Sequence, residues 1–240
     1  MNTARIAALL EPFLLQSLPN AALEQISTYI DLLRRWNARI NLTAVRSPEA
    51  IVTRHFGESL FLARHLFPKP CPPERSEERA GVLGPTGYWA PGTDHCPLPT
   101  GHCTVHVLDI GSGAGFPGLP VKIWAPAIRL TLVESNHKKA AFLREVARAL
   151  TLTDVNVTTE RAETLSLPPA QVVTLRAVER FEAILPVTAR FLAPAGRLAL
   201  LIGSSQAPLL PTLVPHLQWL PPIPVPQSKS RILAIASRSI

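Results

Sequence analysis

Cysteine is scarce in this 240-residue chain: there are three, Cys71, Cys96 and Cys103, all within one short stretch. Three thiols cannot all pair inside one chain, so a disulfide-stapled secreted fold is set aside and a reducing cytoplasm is expected. Long hydrophobic runs are missing as well. No stretch of about 18 residues is both uncharged and apolar enough to span a bilayer, and the apolar run from Ile6 to Leu18 is interrupted by Glu11 and Pro12. A soluble chain with no membrane partner is expected. Charged residues make up only 17% against 47% hydrophobic, which excludes disorder throughout and supports a buried core. Proline, by contrast, is plentiful: 25 residues are too many for an all-helical bundle. The length suits a single core with short additions.

Acidic residues are outnumbered, 17 against 24 basic, for a net charge of +7. The balance is +3 over residues 1–70, −2 over 71–103 and +6 over 104–240. The excess therefore belongs to two separate parts of the chain. It is compatible with a polyanionic partner such as nucleic acid, although many proteins without one reach the same charge.

Leu23, Ile26, Ile30, Leu33 and Ile40 follow the three-and-four spacing of an amphipathic helix, with Arg34, Arg35 and Arg39 off its apolar stripe. Ser47, Pro48 and Glu49 form a helix start, and the helix they open is expected to run to about Leu66. Residues 71–103 are rich in proline and glycine without helix or strand periodicity, and read as an insertion or linker. Beyond it, Val105–Ile110, Leu130–Glu134, Val155–Thr158, Val172–Leu175 and Leu198–Ile202 are strand-length apolar runs separated by helix-compatible segments such as Asn136–Leu150. Such alternation predicts an α/β fold with a parallel sheet between helical layers. Leu217–Ile240 is broken by prolines and fits a closing hairpin. The expected organisation is an N-terminal helical cap over 1–70, the insertion over 71–103 and a ligand-binding domain over 104–240.

The strongest local signal is Val107-Leu108-Asp109-Ile110-Gly111-Ser112-Gly113-Ala114-Gly115, an apolar strand that runs into alternating glycines. Those glycines permit a tight turn and a close approach of ligand to backbone. Gly113-x-Gly115-x-x-Gly118 also spells a dinucleotide fingerprint, with Glu134 placed as the ribose-binding acid. Two cofactors therefore compete. Asp109 at the strand end opposes a pyrophosphate but suits the cationic S-adenosylmethionine, and Pro117 disfavours a regular pyrophosphate-facing helix start. S-adenosylmethionine is favoured; a nicotinamide-dependent oxidoreductase and a non-catalytic RNA-binding protein are the alternatives. Arg161-Ala162-Glu163, after the third strand, is placed to line an adenine. Cys71, His95, Cys96, His102 and Cys103 do not match a familiar zinc spacing, and no metal is expected.

Asn41–Arg46, Arg54-His55-Phe56 with Glu58-Ser59-Leu60, Asp109–Gly118, Glu134–Lys139 with Phe142–Glu145, Arg161–Glu163 and Arg176-Ala177-Val178 together resemble the small-subunit ribosomal RNA guanine-N7 methyltransferases, once called glucose-inhibited division protein B. The resemblance covers residues 23–70 and 104–203. It implies a class I methyltransferase domain, Rossmann-like and doubly wound with a mostly parallel sheet, behind an N-terminal helical cap. It also implies methylation of N7 of a guanine in the helix 18 loop of 16S rRNA, near the decoding centre. The cofactor positions it carries over are Gly111, Phe116, Ala162 with Glu163, and Arg176, with Glu134 as the ribose acid and Asp109 and Gly113 beside them. The implied partner is 16S rRNA or the small ribosomal subunit; no DNA partner is expected, and nothing calls for more than a monomer. The sequence departs from the family in the insertion and in Ile202-Gly203, where the family commonly has a lysine before the glycine.

Guanine N7 offers a lone pair and loses no proton on methylation, so a missing acid/base dyad does not count against such an enzyme. Positioning is then the main source of rate. Arg176 is the first candidate to contact the O6 edge of the base, with Arg54 and His55 from the cap as further candidates. His55 fits equally well as a packed histidine.

Overall fold

The computed structural model describes residues 1–68, 104–178 and 180–238; the expected insertion and its cysteine and histidine cluster lie outside the described residues. Two helices open the chain, α1 Thr3–Leu10 and α2 Asn20–Asn37. The second ends earlier than its apolar spacing predicts. The Asn37 carboxamide oxygen accepts from the amides of Leu42 and Thr43 while its NH2 donates to the Thr43 carbonyl, so the chain turns out of the helix there.

Ser47 caps the next helix as expected, its hydroxyl accepting from the Ala50 amide, with Pro48 in the first turn. That helix is not uniform. Between α3 (Pro48–Ile51) and α4 (Glu58–Leu66) lies a π-helical turn, Val52–Gly57, of the kind that recurs at functional sites. It carries Arg54 and His55.

The remainder forms an eight-stranded sheet: β1 His106–Ile110, β2 Arg129–Val133, β3 Val155–Thr158, β4 Ala170–Arg176, β5 Leu192–Gly203, β6 Leu217–Trp219, β7 Ile223–Pro224 and β8 Arg231–Arg238. Helices α5 Gly118–Trp124, α6 His137–Ala149, α7 Phe181–Ala189 and α8 Leu210–Leu213 join them. The spatial order is β3-β2-β1-β4-β5-β8-β6, with β7 also paired to β8. Strands β3 to β5 in that order are parallel, whereas β8 runs antiparallel to β5, β6 and β7. This is the expected doubly wound, mostly parallel α/β sheet. An antiparallel β8 stands where the dinucleotide-binding arrangement continues with a sixth strand of the parallel set. The proline-rich end of the chain does close the sheet, because β8 contains no proline.

Alternation along the strands separates two apolar layers. Val107, Leu130, Leu132, Ala199 and Leu201 face the cap and α6, while Leu108, Val133, Leu198 and Leu200 face α7 and α8. The first layer also contains Ile6, Phe13, Tyr29, Phe56 and Leu60, so the helical cap shares a core with the sheet. One expectation is corrected. Pro117 does not prevent a helix start: α5 begins at Gly118 with Pro117 as its N-cap, since a proline amide has no hydrogen to leave unpaired there.

Candidate functional site

Strand order reverses between β1 and β4, and ligands of doubly wound sheets bind at the carboxyl ends of strands beside that reversal. Gly111, Gly113 and Gly115 follow β1 with φ of +67°, +55° and +88°, left-handed backbone that glycine adopts without cost. A Cβ at Gly113 would come no nearer than 3.8 Å to the Gly111 carbonyl oxygen, so space is open in front of it. Glu134, just past β2, takes the Gly113 amide on one oxygen (2.9 Å) and the Asn136 amide on the other (2.8 Å). The carboxylate is thereby fixed against the loop with lone pairs to spare, as recognition of a ribose diol needs. Ala162 is buried with Ile110 and Val133 at the ends of β1 and β2, while Glu163 is exposed beside it.

Asp109 lies differently from its expected role. It is fully buried, accepting from the Gly118 amide and the Thr174 hydroxyl, and so braces the start of α5 and strand β4 instead of facing a ligand. Burial pushes its carboxyl up to about 6, with the hydrogen bonds from Thr174, Ser112 and Gly118 pulling the other way. Its charge is therefore a weaker argument against a pyrophosphate than the sequence suggests.

Arg176 ends β4 and reaches into the cap. Its Nη2 donates to Glu58 Oε2 (2.8 Å) and to the Arg54 carbonyl, and its Nη1 donates to His55 Nδ1 (3.2 Å). Because a guanidinium can only donate, His55 Nδ1 is an acceptor and Nε2 carries the proton, which goes to the Thr43 hydroxyl oxygen at 2.7 Å. The imidazole stacks on Phe116 at 4.8 Å between centroids, and the other side of the ring assembly is Tyr29, parallel to Phe116 at 5.3 Å. Burial, then Arg176, Arg54 and Arg231, hold the His55 pKa down to about 3, so it is neutral here. The Tyr29 hydroxyl donates to the Ala114 carbonyl, which ties α2 directly to the glycine loop.

The expected residues thus fall into one neighbourhood with distinct surroundings. Gly113 and Glu134 form the open part of the loop, and Gly111 packs against Val178; Phe116, His55 and Arg176 form its wall against the cap; Arg54 contributes a buried carbonyl contact and an exposed side chain. Two residues were not nominated for the site, although Glu58 stands in the motif quoted with Arg54 and His55. Glu58 accepts from both Arg176 and Arg231, and its place one helical turn after Arg54 and His55 is the signal that marks it. Arg231 comes from β8 and carries no local motif. Among the described residues no group of histidines, cysteines and carboxylates is arranged to hold a metal, and no helix is long and apolar enough to cross a membrane.

The residues suit S-adenosylmethionine. Besides the open glycine turn and the fixed Glu134, Arg176 Nε is buried without a partner and awaits an acceptor such as a carboxylate. The family model for rRNA small subunit methyltransferase G matches residues 22–69 and 98–210. A ribosomal RNA small subunit methyltransferase G of Roseiflexus sp. (strain RS-1) is 39% identical over 208 residues, 82% of this chain and 71% of that protein. One from Xanthomonas oryzae pv. oryzae (strain KACC10331 / KXO85) is 35% identical over 189 residues, 78% of this chain and 72% of that protein. A SAM-dependent methyltransferase of Aquifex aeolicus aligns to 55% of this chain and 81% of that chain, with 15% identity and a TM-score of 0.47. On the family model, which matches more than half of the chain, and on the relatives 39% and 35% identical to it, the chain belongs to the rRNA small subunit methyltransferase G family of S-adenosylmethionine-dependent enzymes.

Proposed function

We propose that this protein, acting as a cytoplasmic monomer, methylates N7 of a guanine in the helix 18 loop of 16S rRNA, free or within the small ribosomal subunit. The observation that carries the reading is the joining of the Glu134-braced glycine loop to the cap through Arg176, His55 and Phe116. Glu134 would hold the ribose hydroxyls, Gly111 and Gly113 would let the cofactor lie against the backbone, and Ala162 with Glu163 would line the adenine. Phe116 and Arg176 close the other side. S-adenosylmethionine, when bound, would supply a methyl group on a cationic sulfonium for transfer to the N7 lone pair, with the S–C electron pair left on sulfur.

No proton leaves N7, so the chain has no base to provide. Its task is to orient the guanine and keep water out. A neutral His55 agrees with that, because it packs and hydrogen-bonds without shuttling a proton at physiological pH. Family membership removes the nicotinamide-dependent oxidoreductase from consideration. Transfer of radiolabelled methyl to unmodified 16S rRNA and to small subunits, followed by mapping of the labelled base, tests the proposal. Label on one guanine N7 in the helix 18 loop is the expected result, and label on any other base or atom refutes it.

A further inference from the structure

Of the three side chains that the sequence nominates for the base, Arg176 and His55 are already engaged and Arg54 faces solvent. Arg176 has both terminal nitrogens on Glu58, His55 and the Arg54 carbonyl, leaving only the buried Nε. His55 has both ring nitrogens in use, and Arg54 points its side chain to solvent. The fork of Arg231 is different. Its Nη1 lies 3.4 Å from Glu58 Oε2, a looser pairing than that of Arg176, and its side chain is 26% exposed.

Arg231 also borders a pocket of about 240 Å³ at the carboxyl ends of β4 and β5, with Val178, Phe181, Ile202, Gly203 and Gln206 among its walls. The glycine loop and Glu134 occupy the β1–β2 side of the strand reversal, so this pocket is the matching space on the β4–β5 side. Its walls are apolar at Val178, Phe181 and Ile202, as a base face requires, and polar at the rim. There the Gln206 side-chain oxygen Oε1 accepts from the Gly203 amide, which turns its NH2 away from that bond.

Building on the proposed guanine substrate, we infer that this pocket receives the target base and that Arg231 donates to its O6. Arginine recognises the O6/N7 edge of guanine, and when N7 must remain open to react, O6 is the acceptor left for it. Glu58 holds the two arginines apart in role: it binds Arg176 into the cap and leaves Arg231 facing the pocket. Arg231 is thus a specificity-determining contact, supplied by the antiparallel strand at the end of the chain.

The test pairs Arg231→Ala with a substrate that lacks O6. The 16S rRNA or small subunit that wild type methylates is prepared with 2-aminopurine in place of the target guanine. With guanine, Arg231→Ala is expected to lower kcat/KM about 10- to 100-fold, in keeping with the loss of one arginine–base contact. With 2-aminopurine, wild type is expected to fall by a similar factor and Arg231→Ala to fall no further, while cofactor affinity by calorimetry stays the same. Equal losses from the substitution on both bases would overturn the O6 contact, as would loss of cofactor binding. Label mapping on the wild-type reaction separates these results from a failure of the guanine reading itself, which would show as label on another base.

Discussion

Glu134 illustrates how one side chain can brace a loop and also serve a proposed site. Its two oxygens hold the amides of Gly113 and Asn136, so Glu134→Ala loosens the loop and, on the proposed reading, also removes the ribose acceptor. Binding of S-adenosylmethionine is expected to weaken by about 1 to 3 kcal/mol, the scale of hydrogen bonds to a charged group, and calorimetry reads it directly. Asp109 and His55 give the stability of the fold an opposed dependence on pH. Asp109 titrates at about 6 when folded and 3.8 when unfolded, so its contribution is present at low pH and lost as pH rises through 6. His55 titrates at about 3 when folded and 6.5 when unfolded, so its contribution is present above 6.5 and lost as pH falls toward 3. Asp109→Asn removes only the first effect. Its stability relative to wild type is expected to rise between about pH 4 and 6 in urea titrations, and a flat difference would mean that Asp109 ionises normally in the fold.

At the scale of elements, the π-helical turn is the piece of the cap that meets Arg176 at the end of β4. The extra residue in its turn directs His55 toward Arg176 while Phe56 and Glu58 stay buried. Gly57 sits where the turn crosses Phe13, and a Cβ there would lie 2.7 Å from the ring. Gly57→Ala is therefore expected to cost about 1 to 3 kcal/mol through overpacking, measurable by denaturant unfolding. Glu58 has the larger effect. With side-chain exposures of 6% for Arg176 and 4% for Glu58, Glu58→Ala leaves a guanidinium buried without its counter-charge. A loss of about 3 to 5 kcal/mol is expected, the range for breaking one side of a buried pair. Most elements were legible beforehand because their apolar periodicity is strong, as in α2, α6 and β1. The π turn was not, since an extra residue in a helical turn leaves the apolar spacing nearly unchanged over so short a length.

At the scale of the whole molecule, the cap and the sheet act as one body. Tyr29 reaches the Ala114 carbonyl, Trp36 Nε1 donates to Glu145, and Gln25 donates to the Leu150 carbonyl, so α2 is fastened to both the glycine loop and α6. A ligand at the loop should therefore stabilise the entire fold. S-adenosylmethionine at about 100 times its Kd is expected to add roughly 2.7 kcal/mol to unfolding and raise Tm, whereas NADH at the same concentration should leave Tm unchanged. Thermal melts with each ligand decide it.

The sequence by itself determined the α/β class, the position of the glycine loop after β1 and the acid after β2, because each rests on local spacing along the chain; the family was legible through resemblance to its motifs. Only the tertiary structure decided which polar groups remain available. Asp109 is enclosed, His55 and Arg176 are bound to the cap, and Arg231 arrives from the last strand to border the pocket. The reason is physical: periodicity and motif report what a segment does with its neighbours in sequence. Burial and hydrogen-bond partnership between β4, β8 and the cap depend on contacts that no local pattern encodes.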